Sequence, residues 1–455
     1  MKLALSMEDI EKRSPEPEAF IPYLYDDLVE MCLEEDRLPQ SQHQDFREFG
    51  SFLAAVGNFL SHQAMGSLDK DYAYFNPDSE LTLRDCSKEE LGKAQQRVIG
   101  AFQTAAENAN YRKLSNDEIE KSFRESGLFS LNTDVDLDEF GYVECYVRGS
   151  DVTTASKRNW KLKKYEEPLE IWRRVLLLME FKGDSELTEE QLTRRKKAAL
   201  PYVQGKVYVY LYKDVPKPDL EILFPNVRVS MNIKDRFLIG VPAIAVGIGT
   251  IAKIGLKIGL VIGVIAFTVF GIKMFGVDEH QTNDIMKLVT TFLTVLVAIG
   301  VFGFKQYNVV KNKRIGFLKE VSEHLFFRNL AMNKAVFDRV IDDGEDEDAK
   351  EAMLVYYHML VSPGKKMTRQ SLDETIQDWM KEKHGTVIDF DIDGPIDKLK
   401  KFEGVTNDGI RKSLIVENAD GILSIPTLYE AREIMDFHWD NAFPYSDIKE
   451  ADLPS

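Results

Sequence analysis

KVYVYLYKDVPKPDLEILFPNVRVSMNIKDR, residues 206–236, sets the class of the first half of the chain. Val207, Val209 and Leu211 alternate with Tyr208, Tyr210 and Tyr212, giving one aliphatic and one aromatic face, the period of a strand. Val227, Val229, Met231 and Ile233 alternate with Arg228, Ser230 and Asn232 and predict a second strand. Pro216 and Pro218 end the first, Asp219 can cap a short helix LEILF, and Pro225 stops it. A third strand is expected at Tyr142–Arg148, and helical patterns cover residues 16–60 and 85–126. Residues 1–236 therefore read as a soluble α+β domain.

Downstream, residues 237–272 read FLIGVPAIAVGIGTIAKIGLKIGLVIGVIAFTVFGI, with Lys253 and Lys257 as the only charges. Eight of the chain's 28 glycines fall between Gly240 and Gly276. One straight helix of this length would far exceed the roughly 20 residues that cross a bilayer. The expected division is a transmembrane α-helical hairpin within the membrane region 237–304, with spans at about 254–273 and 286–304. The acidic connection FGVDEHQTND joins them, and residues 237–252, broken by Pro242, are interfacial or re-entrant. A competing division makes that piece a third span. Lys234, Arg236, Lys253 and Lys257 before the first span, and Lys305, Lys311, Lys313 and Arg314 after the second, put both flanking domains on the cytoplasmic side. Gly255, Gly259 and Gly263 recur every four residues on one helix face, which suits helix packing inside the hairpin or, alternatively, a homo-oligomer through it.

Residues 305–340 continue as a helix, and DDGEDED, residues 342–348, reads as an exposed acidic linker. The last domain, 349–455, orders as helix (350–361), helix (368–384), helix (394–403), hairpin (413–425) and helix (427–442), a mostly α, winged-helix-like layout. Between 345 and 445 there are 12 Lys plus Arg against 21 Asp plus Glu, and the whole chain carries −17, so nucleic acid is not an expected partner. Cys32, Cys86 and Cys145 are odd in number and widely spaced, which fits a reducing compartment better than a disulfide framework. The acidic start MEDIEKRSPEPE is unlike a signal or transit peptide, so insertion would be directed by the internal segments.

YLYKDVPKPDLEILFPNVRVSMNIKDRFLIGVPAIAVG resembles the signature of the transmembrane protein 143 family, which carries domain of unknown function 3754, and FIPYLYDDLVEMCL at 20–33 is similar to the start of its members. The most specific matches are Tyr-Lys-Asp-Val-Pro at 212–216, the Leu-Glu pair at 220–221 and Lys-Asp-Arg at 234–236. The resemblance implies two adjacent hydrophobic segments between two flanking regions. It assigns no catalytic residue. Animal members are associated with mitochondria, but without their kind of targeting sequence the expected place is a bacterial inner membrane or its equivalent, with an organellar membrane as the alternative.

The best metal candidate is the D-x-D-x-D-G run of Asp389, Asp391 and Asp393, with Asp397 following; a second acidic cluster, Asp134, Asp136, Asp138 and Glu139, lacks the turn glycine and reads as a solvated turn. The first resembles a calcium loop, yet Lys400 stands where the bidentate glutamate belongs. The competing reading makes Asp393 a helix cap, so neither a metal nor a cofactor is expected. GxxxxGK[ST], HExxH and GxSxG are absent from the sequence, which leans away from an enzyme. The leading expectation is a membrane-anchored scaffold or regulatory protein with the lipid bilayer and an unknown protein as partners. The alternatives are a transporter or channel subunit acting as an oligomer, and a membrane-bound hydrolase or lipid-modifying enzyme.

Overall fold

A computed structural model describes residues 17–79, 86–124, 132–158, 164–198, 202–230 and 325–441, together with part of 290–324. In chain order its elements are α1 (Tyr25–Leu33), α2 (His43–Tyr72), α3 (Lys88–Asn108), β1 (Arg112–Lys113), α4 (Asn116–Arg124), β2 (Asn132–Asp134), β3 (Phe140–Arg158), β4 (Lys164–Phe181), α5 (Glu189–Ala198), β5 (Val207–Pro216), β6 (Arg228–Ser230) and β7 (Asn329–Met332). There follow α6 (Lys334–Leu360), α7 (Arg369–His384), α8 (Asp393–Lys401), β8 (Glu403–Val405), β9 (Arg411–Ser413), β10 (Val416–Glu417), β11 (Leu423–Ser424) and α9 (Leu428–Asp440). The chain divides into one unit of Met1–Leu128, Asp136–Leu220 and Arg328–Ser455, and a second of Phe129–Val135 and Glu221–Phe327.

In the first unit an antiparallel sheet runs in the order β1-β3-β4-β5-β7. The strand expected at Val207 is β5, and the one expected at Tyr142 is part of the longer β3. Alternation works as the sequence suggests: Val207, Val209 and Leu211 join Tyr146, Leu176 and Leu178 on the face covered by helices. Val98, Phe102 and Ala106 of α3, Tyr72 of α2, and Val336, Phe337 and Val340 of α6 pack on that face. Each fully buried aliphatic side chain of this size contributes roughly 1.5–3 kcal/mol.

A second core gathers around the other half of α6. Ala352–Tyr357 and Met359 meet Leu28 and Cys32 of α1, Phe46, Phe49 and Leu53 of α2, Ile376 and Trp379 of α7, Ile396 and Leu399 of α8, and Ile434 and Met435 of α9. Helix ends are set locally: Ser87 and Glu90 form a reciprocal cap on α3, Thr427 and Glu430 do so on α9, and Gly385 closes α7 with φ of 66°. Because α2 and α6 each enter both cores, a polar waist lies between them.

That waist changes the reading of DDGEDED. The run sits inside α6 instead of forming an exposed linker, and Glu347 is 3 % exposed. Two cations from other elements, Arg148 and Lys398, and two of α6's own, Arg339 and Lys350, explain why so many carboxylates tolerate one helix. Arg148 and Arg339 pair with Asp343, Lys350 with Asp346 and Glu347, and Lys398 with Asp348.

In the second unit β2 and β6 form a short antiparallel pair, Asn132 to Ser230 through Asp134 to Arg228. The transmembrane hairpin expected at 237–304 is corrected: among the described residues no helix is long and apolar enough to cross a membrane. The described residues of 290–327 are helical, and they form no helix that meets the length and apolarity that spanning requires. The span at 254–273, the piece 237–252 and Gly255, Gly259 and Gly263 lie outside the described residues. The multi-pass membrane localisation, the bilayer as partner and the hairpin-mediated homo-oligomer rested on that hairpin. So did the membrane-anchored scaffold, the channel subunit and the membrane-bound enzyme, and all are withdrawn with it.

Candidate ligand-binding site

Where α2, α3 and α6 meet at the polar waist they leave a cavity of about 470 Å³. Arg97, Ala101, Thr104, Ala105 and Asn108 follow the i, i+4, i+7, i+8, i+11 spacing of one helical face, and α3 turns this face to the cavity. Leu68 and Asp71 come from α2, and Ile341, Gly344 and Glu345 from α6. The small alanines create the room. Gly344 lets α6 approach the end of α3: a Cβ there would stand 3.3 Å from the Ala109 backbone nitrogen.

The charged groups of the lining are unequally matched. Arg97 donates two hydrogen bonds to Asp71, Nε to Oδ2 at 2.6 Å and Nη2 to Oδ1 at 2.8 Å. This fork holds the Asp71 carboxyl below its usual range. Glu345 is different: its Oε2 is shielded from solvent and accepts no hydrogen bond. The ammonium of Lys398 lies 3.8 Å from that oxygen, outside hydrogen-bonding reach, and is committed at 2.8 Å to Asp348.

Below the cavity, α6 carries a second polar group. Glu347 accepts a hydrogen bond from the Ile21 backbone at 2.8 Å and pairs with the buried Lys350 at 3.0 Å, while Lys350 also reaches the Ile21 carbonyl. Burial, and then the neighbouring Asp348, push Glu351 up to about 8, with Asn110 donating to it at 3.4 Å. Burial thus favours the neutral acid form of Glu351.

Further along α6, His358 is fully buried against Trp379, ring centroids 5.2 Å apart, and burial pushes its imidazole down to about 3. Neither of its ring nitrogens has a hydrogen-bond partner, and the Tyr357 hydroxyl and Trp379 Nε1 have none either. A neutral imidazole edge-on to aromatic rings behaves here as part of the apolar core.

The calcium candidate is arranged around an arginine. Arg369 donates to Asp393 at 2.7 Å, to Asp397 at 2.8 Å and to Glu417 at 3.0 Å. Asp393 is not the expected cap; it lies inside the first turn of α8, and its backbone nitrogen donates to Asp391 Oδ1 at 3.0 Å. The backbone nitrogen of Asp389 donates to the Glu18 carbonyl at 2.9 Å. Among the described residues no group of three or more His, Cys, Asp or Glu is placed to hold a metal ion. Sequence reasoning missed Asp71, Arg97 and Glu345. The face of α3 was the available signal, but Glu345 was hidden in a run read as solvated.

Residues 172–335 match a family model described as a protein of unknown function, DUF3754. The matched stretch takes in β5, β6 and β7 and ends at the start of α6, before the cavity residues Ile341, Gly344 and Glu345. No solved structure matches the chain.

Proposed function

We propose that the chain binds a small, partly apolar organic molecule reversibly in the cavity between α2, α3 and α6. The observation that carries this reading is the cavity itself, about 470 Å³, within the range that small-molecule sites occupy. Leu68, Ala101, Ala105 and Ile341 offer an apolar wall, and Asp71, Arg97, Thr104, Asn108 and Glu345 offer a few polar groups that would fix an orientation. Its position against α2 and α6, which enter both cores, is where occupancy would stiffen the unit. Kinship with the transmembrane protein 143 family is part of the proposal, supported by Tyr212–Pro216, Leu220-Glu221 and Lys234–Arg236.

The test is a thermal-shift screen of small organic fragments against the full chain and an Ala101→Leu variant, whose added carbons occupy the cavity. Fragments that raise the midpoint of the wild type and not of the variant support the reading. Equal shifts in both, or no shift with any fragment, overturn it.

A further inference from the structure

We infer that the sheet carries a site for a phosphate group, separate from the cavity, where Arg148, Arg174 and Lys213 stand in one row across β3, β4 and β5. Arg148 is the direct partner of Arg174, and Arg174 that of Lys213. Directly opposed residues of an antiparallel sheet share a face, so this row follows Tyr146, Leu176 and Leu211 on the side that the helices cover. Like charges placed directly opposite repel each other, and an anion among them relieves that repulsion.

The row lies at the margin of the covered face. Tyr146, Leu176 and Leu211 are buried, whereas Arg148, Arg174 and Lys213, one step further along each strand on the same face, are partly exposed and within reach of a solute. From α6 comes a fourth cation: Arg339, its side chain 61 % exposed, pairs with Asp343 at 3.1 Å, and Arg148 reaches the same carboxylate at 3.5 Å. Burial raises the Tyr111 hydroxyl to about 12 while Arg148, Arg174 and Arg339 act against that shift, so the three guanidinium groups share one neighbourhood. Arg339 and Asp343 lie about 200° around α6 from Ile341 and Glu345, on the other side of the helix from the cavity.

The donors of this group are held in place and only partly used. Arg148 donates to the Ala109 carbonyl at 3.0 Å, and its guanidinium lies 4.9 Å and 5.0 Å from the ring centroids of Phe20 and Tyr111. Arg174 spends one N–H on the Arg173 carbonyl at 2.9 Å. Among the described residues the group's ion pairs both end on Asp343, so four cations share one paired carboxylate. Adjacent strands are about 4.8 Å apart, which lets long side chains from three of them converge on one tetrahedral group. Guanidinium forks match phosphate oxygens, and a dianion answers the remaining positive charge better than a monocarboxylate.

Isothermal titration of the full chain with inorganic phosphate and with acetate, at constant ionic strength, tests the inference. Phosphate is expected to bind, and more tightly than acetate. Arg174→Gln and Lys213→Gln should each weaken it about tenfold to a hundredfold, the range for a hydrogen bond to a charged group. The second variant keeps the test open if the first does not fold. Ala101→Leu, which fills the cavity, should leave the phosphate affinity unchanged, so this site and the cavity stand or fall separately. Displacement of phosphate by glycerol 3-phosphate supports the assignment with a phosphomonoester as ligand, and phosphate that it does not displace supports it with the free ion. No binding of phosphate at millimolar concentration, acetate binding as tightly, an affinity that neither variant moves, or loss of binding in Ala101→Leu overturns it.

Discussion

Glu345 Oε2 stands 3.8 Å from Lys398 Nζ, and the same ammonium is 2.8 Å from Asp348. One lysine of α8 is thus shared by two carboxylates a turn apart on α6, and it ties the two helices together beside the cavity. All three side chains are partly shielded, at 19–28 % exposure, so the network is screened less than a surface pair. Lys398→Met should cost about 0.5–1.5 kcal/mol in urea denaturation, with the loss shrinking in high salt. An unchanged midpoint would show that the pairs contribute nothing.

Close approach of α3 and α6 depends on Gly344. A Cβ 3.3 Å from the Ala109 nitrogen meets backbone, which cannot rotate away as a side chain could. Gly344→Val should lower stability by about 1–3 kcal/mol, the usual cost of overpacking. Gly92, whose added Cβ would meet nothing within 4 Å, is the control, and its alanine variant should lose none.

Glu351 makes stability depend on pH. Burial raises its carboxyl from 4.5 to about 8 in the folded chain, so between those values the native state holds a proton that the unfolded state has released. The unfolded state binds fewer protons there, and stability must fall as pH rises through that window. Glu347 is shifted upward too, again by burial, and adds in the same direction. Glu351→Gln should therefore be more stable than the wild type at pH 8.5, by about 1–3 kcal/mol, with the advantage shrinking toward pH 5. Chemical denaturation at the two pH values checks this, and an advantage independent of pH would contradict it.

Calcium should leave the melting temperature unchanged. Arg369 already satisfies Asp393 and Asp397, and together with Lys400 it holds the Glu417 carboxyl down to about 2. A stabilisation by millimolar calcium that Asp391→Ala removes would show that the arginine yields to the ion.

The strand at Val207 was legible because turn residues and period-two alternation are local signals, whereas the short pair β8–β9 was absent from the expected order of the last hundred residues. β4 was not legible, since Val175–Met179 is a continuous apolar run: Val175, Leu177 and Met179 are as deeply buried as Leu176 and Leu178. A strand covered on both faces loses its alternation and cannot be told from a buried helix by period. The acidic run failed for the opposite reason. Its partners, Arg148, Lys398 and the Ile21 backbone, come from distant parts of the chain, so their neutralising effect is invisible locally. Glu345 inherited that misreading, and with it the centre of the candidate site. Apolar composition at 286–304 suggested a spanning helix, whereas no helix among the described residues meets the length and apolarity that crossing a membrane demands.

Hydrogen–deuterium exchange on the full chain, with and without a saturating fragment from the thermal-shift screen, measures most directly whether the cavity is a ligand site. Slowed exchange should appear in α3 from Arg97 to Asn108 and in α6 around Ile341–Glu345, and should vanish in Ala101→Leu. Protection confined to residues away from the cavity, such as Arg411–Ser413 and Ser424–Glu430, or no protection anywhere, would contradict it.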